Sequence, residues 1–97
     1  MESVHTVIVI LEAIPGKEEV LKKALMAVVA PSRSESSCLE YRLHQDKNNP
    51  AQFVLYEQWK NAELHQQQFT KPYIIHFGKQ IEGLLAKPYQ VVFAREI

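Results

Sequence analysis

One segment near the start of the chain restricts the possible folds more than any other. Residues 4–13 are rich in Val and Ile, which is typical of a β-strand. Alternate side chains of a strand point to opposite faces, and here both sets are largely apolar. The two sets are Val7, Val9 and Leu11, and Thr6, Ile8 and Ile10. A strand that is apolar on both faces is covered on both. Helices can cover one face, and the other requires a second sheet or a partner chain.

Turn residues and a new periodicity mark the element that follows this strand. Pro15 and Gly16 end the strand, and residues 17–36 have apolar side chains at three- and four-residue spacings. That spacing predicts a helix with one apolar stripe. Pro31 lacks a backbone N–H, so we expect it to kink or shorten this helix.

A hairpin is predicted in the middle of the chain. Residues 38–46 alternate between apolar and polar side chains and predict one strand. Residues 52–59 predict another, whose alternate side chains Phe53, Leu55, Glu57 and Trp59 share one face. The intervening Lys-Asn-Asn-Pro at residues 47–50 is typical of a turn. The two strands are therefore expected to pair as antiparallel neighbours.

The last third of the chain predicts two helices and a final strand. Asn61 is a suitable N-cap for a short helix over residues 62–70. Pro72 interrupts that helix but suits the start of another, which the apolar stripe predicts over residues 73–85. Residues 88–97 alternate again and predict the fourth strand.

The element order β-α-β-β-α-β predicts an α+β, ferredoxin-like fold with a four-stranded antiparallel sheet and helices on one face. The 97 residues suit one domain spanning residues 1–97. The other face would be bare in a monomer, and the pattern places Val7, Val9, Leu55 and Trp59 where they could occupy it. Because monomers rarely expose large apolar patches, we expect a homodimer that packs two sheets face to face or closes them into a barrel.

Composition argues against several classes of partner and cofactor. Eleven basic and eleven acidic residues cancel without a basic run, so neither nucleic acid nor an anionic membrane is an expected partner. The sequence has no signal peptide and no apolar segment long enough to span a bilayer, so we expect a cytoplasmic protein.

The residue types that bind metals and nucleotides are sparse. Cys38 is the single cysteine, which excludes an intrachain disulfide and the usual zinc clusters. It is expected to be a small buried side chain and not a nucleophile. The four histidines lack a close ligand spacing, and no glycine-rich phosphate loop is present. We therefore expect neither a metal nor another cofactor.

Six short segments follow one another in a characteristic order and spacing. They are Pro15-Gly-Lys-Glu-Glu19, Ala30-Pro-Ser-Arg-Ser-Glu35, Cys38-Leu-Glu-Tyr41, His44-Gln-Asp46, Phe53-Val-Leu-Tyr-Glu-Gln-Trp59 and Pro72-Tyr73. Together they resemble the antibiotic biosynthesis monooxygenase family, of the dimeric α+β barrel superfamily. The resemblance covers nearly the whole chain and implies a homodimer with a pocket between the sheet and the helices of each subunit.

The resemblance also implies a range of reactions. Some members oxidise polycyclic aromatic phenols or quinols with molecular oxygen and without metal or flavin. Relatives in the superfamily degrade haem, and another small relative isomerises a phosphorylated sugar-like signal. The first-strand Asn of the haem-degrading relatives would fall near Val9, and a matching His–Trp pair is absent. This difference argues against haem chemistry.

The resemblance singles out residues on the third strand. Trp59 matches the pocket tryptophan of the aromatic-oxidising members, and Glu57 matches a Glu-x-Trp pattern. Leu55 stands where the polyketide-oxidising members have a polar Asn. The alternatives are that Trp59 packs in the core and that Glu57 forms a structural salt bridge.

Departures from the family pattern follow that strand. Gln68 and Tyr73 stand where small members often have histidines, and an active-site Tyr of the polyketide-oxidising members falls at His65. Alternatives are that His65 and Gln68 form a polar surface patch, and that Tyr73 and His76 belong to a half-buried seam.

A cofactor-free oxygenase requires an apolar cavity, a base and donors that stabilise a substrate anion. The candidates are Trp59, Tyr73 and Phe77 as aromatic walls, His65 or His76 as the base, Gln68 as the donor, and Leu55 and Glu57 as further pocket residues. We therefore expect a cofactor-independent monooxygenase that acts on a quinol or another enolisable aromatic molecule. The alternatives are a dimer that binds a small aromatic or quinone-like ligand without turnover, and an isomerase of a small polar metabolite.

Overall fold

The computed structural model describes residues 4–97 and contains a four-stranded antiparallel sheet. The elements are β1 (His5–Glu12), α1 (Glu18–Arg33), β2 (Cys38–Gln45), β3 (Gln52–Trp59), α2 (Ala62–Gln67), α3 (Pro72–Ile81) and β4 (Gln90–Ala94), with a 3₁₀ turn at Gln68–Thr70. The strand order is β2-β3-β1-β4. This arrangement confirms the predicted ferredoxin-like α+β fold.

The first strand lies inside the sheet, as its two apolar faces require. β1 pairs with β3 on one side and with β4 on the other, so that Val7 lies opposite both Glu57 and Phe93. The helices cover the face that includes Val7. The core there consists of buried side chains from strands and helices, among them Leu11, Leu21, Leu25, Val28, Tyr41, Phe53, Leu55, Trp59 and Ile81.

The predicted assignment of the two sheet faces is wrong. Val7, Leu55 and Trp59 are buried beneath the helices, and Val9 packs against the same core. The helix-free face has the other set of side chains: Ile8, Ile10, Val54, Tyr56 and Val92. Alternation separates the two sets, but both sets of β1 are apolar, so alternation alone does not show which set the helices cover.

Local signals account for both ends of the short helix α2. The Asn61 side chain accepts a hydrogen bond from the backbone N–H of Leu64 at 2.9 Å, which confirms the predicted N-cap. The helix tightens into the 3₁₀ turn at Gln68–Thr70, and Pro72 then begins α3.

Helix α3 ends at Ile81, four residues before the predicted end. The chain leaves the helix there because its next residues pair with the end of β1. Leu85 forms a β-bridge with Ala13, and the backbone N–H of Ile14 donates to Leu84 O at 2.8 Å. Helix α1 is also shorter than predicted and ends two residues after Pro31. Within residues 4–97, no helix is both long enough and apolar enough to cross a bilayer.

Candidate functional site

A cavity of about 870 Å³ lies between the helix-covered face of the sheet and the segment from α2 to α3. Its walls are mainly apolar and include Val7, Val9, Leu11, Leu55, Ile74, Phe77, Ile81 and Val91. The buried polar side chains in its lining are Tyr41, Glu57, His65 and Gln68. A large apolar cavity with a few convergent polar groups is the usual form of a small-molecule site.

Glu57 is the buried acidic side chain in the lining of this cavity. It lies on β3 opposite Tyr41 of β2, and only 4% of it is exposed. Its Oε1 accepts a hydrogen bond from the indole Nε1–H of Trp59 at 2.9 Å. Burial raises the pKa of the Glu57 carboxyl to about 7, although the Trp59 hydrogen bond favours the charged form. The carboxyl can therefore both accept and release a proton near neutral pH.

His65 lies beside Glu57 in an aromatic environment. Its Nε2 is 3.7 Å from Glu57 Oε1. Its ring centroid lies 5.2 Å from those of Trp59 and Phe69 and 5.3 Å from that of His5. Burial, and secondarily His5, lowers the pKa of His65 to about 4, so the imidazole is neutral at pH 7. Its Nδ1 is buried without a hydrogen-bond partner among residues 4–97.

Gln68 is held by a second set of polar contacts. Its Nε2 donates to Ser32 Oγ at 3.0 Å and to the Tyr73 hydroxyl at 3.1 Å. The Tyr73 hydroxyl donates in turn to Glu35 Oε2 at 2.8 Å. The prediction that Gln68 donates a hydrogen bond to a ligand does not fit this geometry, because both of its amide hydrogens are directed at protein oxygens.

Comparison with known families identifies the family of this chain. Residues 4–79 match the family described as antibiotic biosynthesis monooxygenase. The chain belongs to the antibiotic biosynthesis monooxygenase family. This membership confirms the resemblance drawn from the six sequence segments.

Two relatives have moderate sequence identity to this chain. An uncharacterized protein of Synechocystis is 31% identical over 77 residues, which cover 79% of this chain. The match covers 52% of that relative, so the chain spans about half its length. A Mycobacterium tuberculosis protein named "Putative monooxygenase Rv0793" is 25% identical over 77 residues, which cover 79% of this chain and 75% of that protein.

A solved structure extends the likeness to the whole fold. The crystal structure of PA3566 from Pseudomonas aeruginosa has 32% sequence identity and a TM-score of 0.95. The alignment covers 100% of this chain and 97% of that one.

Five of the site residues predicted from the sequence line the cavity. They are Leu55, Glu57, His65, Gln68 and Phe77. Trp59 is fully buried behind Glu57 and contacts the site through its indole N–H, so it is a core residue as well as a support for the carboxylate. Tyr73 is not part of the cavity wall and instead supports Gln68.

His76 is separated from the other site residues. It is exposed on α3 and does not line the cavity, whereas its neighbours Ile75 and Phe77 do. The geometry therefore favours the other predicted histidine, His65, as the member of the site.

Sequence reasoning missed Tyr41, Ser32 and Glu35. Tyr41 had a usable signal, because the hairpin pairing of β2 with β3 places it directly opposite Glu57. Burial raises the pKa of the Tyr41 hydroxyl well above its usual range, so this cavity-lining side chain keeps its proton at neutral pH. Ser32 and Glu35 had no local signal, since their partners lie more than thirty residues away in the chain.

The metal-ligating side-chain types of residues 4–97 are not arranged as in a metal centre. Among residues 4–97, no group of three or more His, Cys, Asp or Glu side chains is arranged to hold a metal ion. Burial raises the pKa of the Cys38 thiol to about 11, so this thiol is protonated at neutral pH.

Proposed function

We propose that this protein is a cofactor-independent monooxygenase acting on a quinol or another enolisable aromatic molecule. The observation that supports this most directly is Glu57, a carboxyl group with a pKa of about 7 that faces an apolar cavity of about 870 Å³. A general base is most effective when its pKa lies near the working pH. Membership of the antibiotic biosynthesis monooxygenase family supports the same class of reaction.

Glu57 is the proposed base. It removes a proton from a substrate hydroxyl, and the resulting electron-rich anion reduces molecular oxygen directly. For a quinol, one oxygen atom enters the ring to give a hydroxyquinone, and the other leaves as water. The substrate supplies all four electrons, so the reaction requires no external reductant.

Two neighbouring groups support this role. The protonated Tyr41 hydroxyl lies across the strand pair from Glu57 and is the proposed donor to the substrate anion. His65 lies 3.7 Å from the carboxylate and is the second member of the proposed catalytic pair. A charged imidazolium there would lower the pKa of Glu57, whereas the neutral ring leaves it near 7.

Oxygen consumption with a panel of quinols and phenols tests this function. The Glu57→Gln variant retains an oxygen that can accept from Trp59 but lacks the proton acceptor, so we expect its rate to fall sharply. His76→Ala, at an exposed position outside the cavity, is the matched control and should retain the rate of the original protein. Equal rates in all three proteins would rule out Glu57 as the base.

The same panel separates the alternatives. Ligand binding without product after long aerobic incubation would identify a non-catalytic binding protein. Turnover of a small polar metabolite under anaerobic conditions would identify an isomerase.

We further propose a cytoplasmic homodimer in which residues 1–97 form one domain. The helix-free face of the sheet supports the dimer, because Ile8, Ile10, Val54, Tyr56 and Val92 would cover each other when two sheets meet. The lone thiol of Cys38 is in keeping with a reducing compartment.

A further inference from the structure

The direction of each hydrogen bond around Gln68 can be deduced from the surface inwards. Lys71 Nζ lies 3.5 Å from Glu35 Oε1, and this ion pair indicates that Glu35 is a carboxylate. A carboxylate only accepts hydrogen bonds. The Tyr73 hydroxyl, 2.8 Å from Glu35 Oε2, must therefore be the donor of that bond.

The single proton of Tyr73 then determines the orientation of the Gln68 amide. Because the hydroxyl proton is directed at Glu35, the Tyr73 oxygen can only accept from Gln68. The Gln68 atom 3.1 Å away must be the amide nitrogen and not the carbonyl oxygen. Burial raises the pKa of Tyr73, so the hydroxyl keeps its proton at neutral pH.

The second amide hydrogen of Gln68 is also occupied. Nε2 donates it to Ser32 Oγ at 3.0 Å, and Ser32 is fully buried within α1. Gln68 itself is 4% exposed and lines the cavity. With both N–H groups bound to protein oxygens, the carbonyl oxygen Oε1 is the polar atom that Gln68 has available for the cavity.

We propose that Gln68 selects the ligand by presenting Oε1 as a fixed hydrogen-bond acceptor, so that the site prefers aromatic molecules with a hydroxyl group over those with a methoxy or carbonyl group there. A hydroxyl donates to Oε1, whereas an ether or ketone oxygen would meet a second acceptor and remain unpaired. The aromatic character of the ligand rests on the proposed function. The preference for a donor rests on the contacts of Gln68 alone.

Tyr73 is the positioning residue of this arrangement. It lies outside the cavity wall and acts only through the amide that it orients. Removing its hydroxyl leaves Gln68 in place but allows the amide to turn, which would offer N–H groups to the ligand. Selectivity between donor and acceptor ligands therefore depends on a side chain that the ligand does not touch.

Binding of 2-naphthol and 2-methoxynaphthalene, measured by calorimetry under nitrogen, tests this inference. The original protein should bind 2-naphthol about tenfold more tightly, the effect of one net hydrogen bond. Gln68→Leu should reduce the ratio to about one. Gln67→Leu introduces the same change at the exposed neighbouring position and should leave the ratio unchanged. A ratio near one in the original protein, or a tenfold ratio that persists in Gln68→Leu, would overturn the proposal.

Tyr73→Phe provides a second test if Gln68→Leu does not fold. We expect the ratio to fall by roughly threefold or more, while the affinity for 2-methoxynaphthalene is kept or improved. An unchanged ratio in folded Tyr73→Phe would also overturn the proposal, because the selectivity would then not depend on the Tyr73 hydroxyl that orients the Gln68 amide. Since binding is measured without oxygen, a loss of the proposed oxygenase activity and a loss of this selectivity are separate results.

Discussion

Glu57 and His65 respond in opposite directions to the same apolar surroundings. Burial disfavours the charged form of each group, which raises the pKa of the carboxyl to about 7 and lowers that of the imidazole to about 4. Glu57 therefore reduces stability as the pH rises from 4.5 to 7, and His65 reduces it as the pH falls from 6.5 to 4. The two contributions oppose each other between pH 4.5 and 6.5.

The Glu57→Gln variant should isolate the contribution of the carboxyl to stability. Below pH 4.5 the native and unfolded carboxyls are both neutral, and above pH 7 burial of the charge costs the native state about 3 kcal/mol. The free energy of unfolding of the variant, relative to the original protein, should therefore rise by about 3 kcal/mol between pH 4.5 and 8. Urea unfolding at both pH values measures this difference. Glu63→Gln, at an exposed site on α2, is the control and should show no such rise.

The rate of oxygen consumption should depend on the protonation of Glu57. We expect kcat/KM to rise with pH through about 7, because the carboxylate is the form that accepts the substrate proton. Glu57→Gln should lower kcat/KM by roughly 10²–10⁴-fold, the usual contribution of a general base, and remove this rise. A rise that persists near pH 7 in the variant would assign the titration to another group or to the substrate.

For the helices and strands, local sequence signals predicted the first residue of an element better than the last. Strand β3 has the predicted bounds because turn residues precede it and the Asn61 cap follows it. Helix α3 ends early because residues just beyond it pair with Ala13 and Ile14, far away in the chain. No local pattern contains that contact. The same limit explains the reversed sheet faces, since the choice between two apolar sets depends on where the helices pack.

The N-cap of α2 should contribute measurably because that helix has only six residues. Asn61→Ala removes the acceptor for the Leu64 N–H, and we expect it to lower the free energy of unfolding by about 1 kcal/mol. Asn61→Asp keeps a capping oxygen and should recover most of this loss. Asn48→Ala, in the exposed turn before β3, is the control. Equal urea midpoints for Asn61→Ala and Asn48→Ala would contradict a capping role.

For the whole molecule, the site could be predicted only in part from sequence. Family resemblance identified Glu57 through the Glu-x-Trp pattern and His65 as the position of an active-site Tyr of the polyketide-oxidising members. Gln68 is oriented directly by Ser32 and, through Tyr73, by Glu35, and both residues lie near the end of α1, more than thirty residues before their partners. Their roles depend on how α1 packs against α3, and only the assembled fold brings these groups together.

The exposed apolar face makes a prediction about assembly that is independent of the reaction. Light scattering at micromolar concentration should give twice the chain mass of 11.2 kDa. Val92 is 49% exposed and lies beside Ile8 on the helix-free face, in the edge strand β4. Val92→Glu would bury a charge between the two sheets, so we expect it to give a folded monomer. Met26→Glu changes a similarly exposed apolar residue on α1 and should leave the dimer intact. A monomeric mass for the original protein, or an intact dimer in Val92→Glu, would exclude this face as the interface.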